Sequence, residues 1–254
     1  RIAQEYRNTS CLNGFTDIVV DVSALPRELF FPLVSRLLRT LENAGDSSTS
    51  LHVVVCEDTE LDSSVQQEGD QADFLFGFTG GFAEEADIQV PRIWVPVLGE
   101  GHRQRLEKIY EFVNPRETCP VLPFPSGDPR RGDRLVVEYR TLLQDSWRVD
   151  TRDIIYVSER NPLDVYRRLR RVHSHYSKAL SLLGGVKMAV SALSNKLLSV
   201  GVLLAAHEDR LAVAHAGGLD YRLPLSLPKA WDESRPENWQ LSSIWLMGEP
   251  NDTQ

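Results

Sequence analysis

Cysteine is scarce in this chain. There are three, Cys11, Cys56 and Cys119, odd in number, far apart and never in CxxC spacing, which excludes a disulfide framework and a zinc-finger site and fits a reducing cytoplasm. Long apolar runs are missing too. None approaches the roughly eighteen residues of a membrane span, and no signal-peptide pattern is visible, so no membrane partner is expected. A basic excess is also lacking: the formal net charge of -8 argues against a surface that coats nucleic acid. Among catalytic signatures, GxxxxGK[ST], GxSxG, HExxH and a GxGxxG between strand and helix are all absent. A P-loop NTPase, an α/β-hydrolase and a histidine-held metal are therefore not expected, and no cofactor is implied.

What is present is ordinary globular composition, 42% hydrophobic and 25% charged over 254 residues, laid out as alternating strand and helix patterns. The stretch Val186 to Glu208 sets the pattern. A short alternating run suits a buried strand, Ser194-Asn195-Lys196 makes a turn, and Leu197, Leu198, Gly201, Leu204 and Ala205 recur at helical spacing. Ser194 or Asn195 can cap that helix, whose first-turn amides favour an anion, and Lys196 adds a full charge.

Other segments end in the same way. Thr16 to Val22 is a β-branched run followed by an amphipathic helix with Leu29/Phe30, Leu33/Val34, Leu37/Leu38 and Leu41, where Pro26 and Pro32 confine the regular part. Leu51 to Cys56 is the next strand. Thr59 to Asp73 is acidic and reads as a surface loop, and Phe74 to Phe82 has the aromatics of a strand with the glycines of a close approach. Pro96 within Ile93 to Leu98 predicts an edge strand or a bulge. Cys119 to Phe124, Asp153 to Val157 and Leu211 to His215 read as extended, with Tyr221 to Leu225 a candidate continuation. Helices are expected through Leu106 to Val113, Leu135 to Leu143 and Leu163 to Leu180.

This order implies a Rossmann-like α/β fold, a mainly parallel sheet with helices on both faces, over residues 1–227, with 228–254 an irregular tail packed on it that includes a short strand at Ile244 to Met247. Ligands of such sheets sit outside the carboxyl ends of the strands. Five strand-to-helix turns carry anion-binding groups: Ser23 and Arg27; His102 and Arg103 after Gly99-Glu100; Ser126, Arg130 and Arg131 around Asp128; Arg160 and Asn161 after Glu159; and Ser194, Asn195 and Lys196. A basic residue recurs in each, in an acidic chain, which points to a phosphate-bearing ligand such as a nucleotide.

Two further readings stay open. Glu159 is the best-placed catalytic carboxylate, able to stabilise a ribosyl oxocarbenium ion or act as nucleophile in N-glycosidic cleavage, against the plainer role of an ion pair with Arg160 or a neighbouring arginine. Asp21 closes a strand as a phosphatase nucleophile does, but the residue two further on is Ser23. The run Arg167, Arg168, Arg170, Arg171, His173, His175 and Lys178 covers the polar arc of one helix, either as a solvated face or as a docking surface of a scaffold subunit.

The closing unit, a strand, Ser-Asn-Lys, an apolar helix and then VAHAGGLDYRL, and the opening VVDVSALPRELFFPLVSRLL, resemble the last and first units of CRISPR-associated Rossmann-fold (CARF) nucleotide sensors. The family's turn is commonly Gly-Thr-Lys, where this chain has Ser194 and Asn195 before Lys196. The resemblance implies a homodimer in a prokaryotic anti-phage system that reads a cyclic or linear oligonucleotide second messenger and controls an attached effector, here expected upstream of Arg1. Residue by residue it carries over Ser23, Ser194, Asn195 and Lys196.

Overall fold

The computed structural model describes residues 14–45, 48–57, 66–68, 71–83, 90–217, 220–222 and 239–249. The polar opening 1–13, most of the acidic stretch 59–73, and the segments 223–225 and 228–238 lie outside the described residues. Where the sequence pattern implies one domain over 1–227 and a tail, the chain divides into two compact units, one from Arg1–Asp58 with Asn238–Gln254, the other from Thr59–Glu237.

The first unit is a three-stranded sheet and one helix. β1 (Asp17–Asp21) pairs in parallel with β2 (Ser50–Glu57), joined by α1 (Arg27–Ala44). β12 (Gln240–Met247) then runs antiparallel to β2, from Gln240 opposite Glu57 to Met247 opposite Leu51. The tail thus contributes an eight-residue strand that includes the expected Ile244 to Met247 and extends four residues before it, where the sequence pattern implies irregular chain. The sequence hides its first half, because only Ile244 is buried and the period-two signal is weak. In α1, Pro26 is the N-cap and Pro32 lies inside the helix, which continues to a left-handed Gly45 cap. Phe30, Phe31, Val34, Leu37, Leu38 and Leu41 form its buried stripe.

The second unit is built on a seven-stranded mixed sheet. In spatial order it runs β4 (Gln71–Phe74), β10 (Ala212–Gly217), β9 (Lys187–Ala192), β5 (Arg92–Val97), β7 (Val121–Pro123) and β8 (Ile155–Val157), with the two-residue β6 (Glu117–Thr118) beside β5. From β10 to β8 all pairs are parallel; β4 is antiparallel to β10. A separate two-stranded antiparallel ribbon joins β3 (Gln66–Glu68) to β11 (Asp220–Arg222). The crossovers are α2 (Arg103–Val113), α3 (Arg131–Glu138), α4 (Pro162–Ala179) and α5 (Lys196–Glu208).

α2, α3 and the turn that follows it cover one face, where Trp94, Leu122 and Ala189 meet Leu106, Ile109, Leu135 and Tyr139. The alternate residues Val95, Val97, Val190 and Ala192 are equally buried on the other side. A polar thread crosses three strands inside this core. Trp94 Nε1 donates to Ser191 Oγ at 2.9 Å, and Ser191 donates to the Ala214 carbonyl at 2.6 Å. Burying a hydroxyl is costly unless it is bonded, and this one is satisfied on both sides.

Two expectations are corrected. β5 is a central strand despite Pro96. Even-numbered residues of β5 direct their backbone toward β6 and β7, and Pro96, which has no N–H to donate, lies beside the interruption between those two strands at Cys119-Pro120. Phe74 to Phe82 is not a strand: β4 ends at Phe74, and Gly77 and Gly80 turn the chain into a short 3-10 helix, Gly80–Ala83.

α4 and α5 pack closely because Gly201 faces Pro162. A Cβ there would lie 2.1 Å from the Pro162 carbonyl oxygen and 2.3 Å from Val165 Cγ1. Helix propensity alone favours Gly201→Ala by up to about 1 kcal/mol, but the clash dominates. The expected outcome is a net loss of about 1 to 3 kcal/mol in chemical denaturation.

Candidate functional site

Because β5, β7, β8 and β9 are parallel, the loops after them emerge along one edge of the second unit. The β5 and β9 loops touch at Gly99. A Cβ at that position would sit 2.2 Å from the Leu193 carbonyl oxygen and 2.9 Å from Ser194 Cα, so the close approach requires glycine. Tyr139, fully buried, pins the same loop: its hydroxyl accepts from the His102 N–H at 3.0 Å and donates to the Gly99 carbonyl at 2.5 Å. Burial first, with the charges of Glu138 and Glu100, pushes its ionisation far above the ordinary tyrosine range despite the His102 bond, so it stays a neutral donor. The Gly101 N–H donates to Glu138 at 2.8 Å.

The β7 loop passes a cis Phe124-Pro125 peptide and enters α3 at Arg131. Asp128 accepts from the Arg130 N–H at 2.9 Å and pairs with Arg134. Arg131 is the centre of the edge. Its Nε and Nη2 reach the two oxygens of Glu100, each at 2.7 Å, and its Nη1 pairs with Glu159 Oε1. Glu159 Oε2 accepts from the Gly127 N–H at 2.7 Å, the Glu159 N–H donates to the Pro125 carbonyl at 3.0 Å, and Asn195 Nδ2 donates to the Glu159 carbonyl at 3.4 Å. Four loops are thereby tied together through one arginine and one glutamate.

Asn161 and Asn195 are both helix N-caps. Asn161 Oδ1 accepts from the Leu163 N–H at 3.0 Å, and Asn195 Oδ1 from the Leu198 N–H at 2.9 Å. Ser194 is buried at the turn, and Lys196 opens α5 half-buried. Arg103 is engaged with Glu107 at 3.2 Å and Thr141 at 2.5 Å, and Ser126 with the Asp128 carbonyl. Arg130 and Arg160 are exposed and form no ion pair with a described residue. Arg160 lies beside Gly127, its Nη2 3.5 Å from where a Cβ would be.

The sequence pattern places five turns on one rim; the structure brings four together within one unit. Ser23 and Arg27 belong to the other unit. There the Ser23 hydroxyl accepts from the Cys56 N–H at 2.8 Å and donates to Asp21 at 2.5 Å, joining the ends of β1 and β2, while Arg27 opens α1. The roles of Tyr139 and Glu138 carry no sequence signal, since both read as continuation of an amphipathic helix.

Of the two roles open to Glu159, the ion pair is the one seen: both carboxylate oxygens are engaged, and its side chain is 18% exposed. Among the described residues no group of three His, Cys, Asp or Glu is arranged to hold a metal ion, and no helix is long and apolar enough to cross a membrane. A cleft of about 400 Å³ opens at the opposite, amino-terminal edge of the sheet, around β6 and the turn before β8. No family model matches the sequence, and no curated protein matches it.

The Arg131 fork has a pH signature. Burial works to raise the Glu100 carboxyl, but the hydrogen bonds and charge of Arg131 outweigh it and hold it below 4.5. A depressed carboxylate stabilises the fold above its unfolded pKa, and that contribution is lost as pH falls through the lower folded value. Arg131→Gln is therefore expected to lower the melting temperature clearly at pH 7. The gap from wild type should narrow at pH 3 and below, as followed by circular dichroism.

Proposed function

We propose that the second unit is a Rossmann-like nucleotide-binding domain of the CARF-like sensor kind, holding a phosphate-bearing ligand against the loops after β5, β7, β8 and β9. The observation that carries this reading is the pair Arg130 and Arg160, exposed and forming no ion pair with a described residue, beside a rim where Arg131 and Arg134 are paired with Glu100, Glu159 and Asp128. In an acidic chain such a pair is a local attractor for an anion, and the arginine fork suits phosphate oxygens. The Asn195-capped start of α5, with Lys196 at its first position, adds the favourable end of a helix dipole to the same edge.

Binding without turnover fits the rim better than catalysis. Glu159, the carboxylate with most claim to covalent chemistry, has one oxygen on Arg131 and the other on the Gly127 amide, which suits it to holding loops in place. The Arg131 network would then be the rigid floor on which a ligand rests. Homodimer formation and control of an effector, implied by the resemblance to CARF sensors, belong to the same proposal.

The reading is tested by thermal shift and calorimetry at low salt with mononucleotides, linear di- and triadenylates and cyclic oligoadenylates, followed by chromatography of the ligand. A sensor should be stabilised by at least one of them and return it intact. Arg130→Ala with Arg160→Ala should weaken that binding at least about tenfold, as loss of charge-assisted bonds does, and flatten its salt dependence. No response to any of these ligands, or one unchanged in the double variant, would remove the rim as a nucleotide site.

A further inference from the structure

The cleft at the amino-terminal edge of the second unit is unconnected with the rim, and its charges are arranged differently. Arg116 and Glu117 enter it from the start of β6, Arg148 from the turn after the π-helical segment Leu142–Ser146, and Asp153 from the 3-10 turn before β8. Tyr110 and Trp147, stacked at 5.7 Å, form an aromatic wall, and Asp145 lies exposed at the margin. Both signs of charge thus line one cavity, yet none of these groups forms an ion pair with another or with any described residue. On the rim, by contrast, nearly every carboxylate has an arginine.

The two carboxylates are close enough to feel each other. Burial first, then the charges of Glu117 and Asp150, hold the Asp153 carboxyl above its ordinary range against the smaller opposing effect of Arg152. Arg152, the nearest cation in sequence, is turned to Asp150 at 2.8 Å. Glu117 accepts the Tyr176 hydroxyl, which fixes one of its oxygens and provides no positive charge. Glu117 and Asp153 thus lie in the cleft without an ion-paired cation, and Arg116 and Arg148 without an ion-paired anion. Arg148 also holds a left-handed backbone, φ +52°, which is costly for a residue with a Cβ and recurs at binding sites.

We infer that this cleft binds a small zwitterion of the α-amino acid class, its ammonium on Glu117 and Asp153 and its carboxylate on Arg116 and Arg148. The size agrees, since about 400 Å³ lies within the range of small-molecule pockets and accommodates a free amino acid with water. Neither charged group alone would satisfy the lining, because a simple anion would face the carboxylates of Glu117, Asp145 and Asp153 and a simple cation the two arginines.

The test is a screen of the twenty free L-amino acids by thermal shift, with calorimetry on those that respond. At least one should bind, and its amide, lacking the carboxylate, and its N-acetyl derivative, lacking the ammonium, should not. Arg148→Gly should weaken binding at least about tenfold. Glycine suits a positive φ, so this variant should melt no lower than wild type, which separates loss of the site from loss of the fold. Glu117→Gln keeps an acceptor for Tyr176 and should weaken binding similarly. No amino acid binding at millimolar concentration, binding that survives both substitutions, or equal binding of the amide and N-acetyl forms would overturn the inference.

Discussion

The carboxyl edge of the parallel sheet depends on the guanidinium of Arg131. A planar fork satisfies two carboxylates at once, bidentate on Glu100 and single on Glu159, in geometry that lysine cannot reproduce. Its side chain is 15% exposed, so the pairing operates partly out of water, where an unmatched charge would be expensive. Loops from three strands meet on this residue, and Glu159 passes the connection to a fourth through Asn195. Loops at a sheet edge are ordinarily the mobile part of an α/β fold; here they are cross-tied.

Beneath that edge, packing supplies the register. Trp94, Ser191 and the Ala214 carbonyl form a bonded line across β5, β9 and β10, with every polar group partnered. Two glycines set separations that no other residue allows: Gly99 between the β5 and β9 loops, and Gly201 between α4 and α5. The outcome is one sheet with two differently equipped edges. On the carboxyl edge Arg131 and Arg134 pair with Glu100, Glu159 and Asp128 while Arg130 and Arg160 form no ion pair with a described residue, whereas the amino edge lines a cleft with both signs of charge and no ion pair among them.

The basic face of α4 is sorted by its surroundings. Arg170 meets Glu208 at 2.7 Å and Asp209 at 3.2 Å, His173 lies 3.4 Å from Asp209, and Arg168 lies 3.6 Å from Asp164. Arg167, Arg171 and Lys178 are exposed without ion pairs. A run of cations that looks uniform along the chain is thus divided by the acidic end of the next helix. Exposed pairs of this kind contribute little individually, and the division is a matter of position more than of stability.

Much of the local structure was legible without coordinates. The strand, turn and helix from Lys187 to Glu208, the cap at Asn195, the long α4 and the alternation implying a parallel sheet follow from hydrophobic period and capping chemistry, which act over a few neighbouring residues. The long-range choices were not legible. That β1, α1 and β2 join β12 in a unit of their own, that Pro96 is central, and that Glu159 answers to Arg131 each rest on which segments meet. A proline is tolerated in a central strand where the neighbouring strand is interrupted beside it, and a glutamate becomes a tie only when an arginine 28 residues away faces it. The amino-acid order determined where strands and helices form and which turns carry charge; the tertiary structure alone decided which of those charges pair with one another and which form no ion pair, because pairing depends on distance in space.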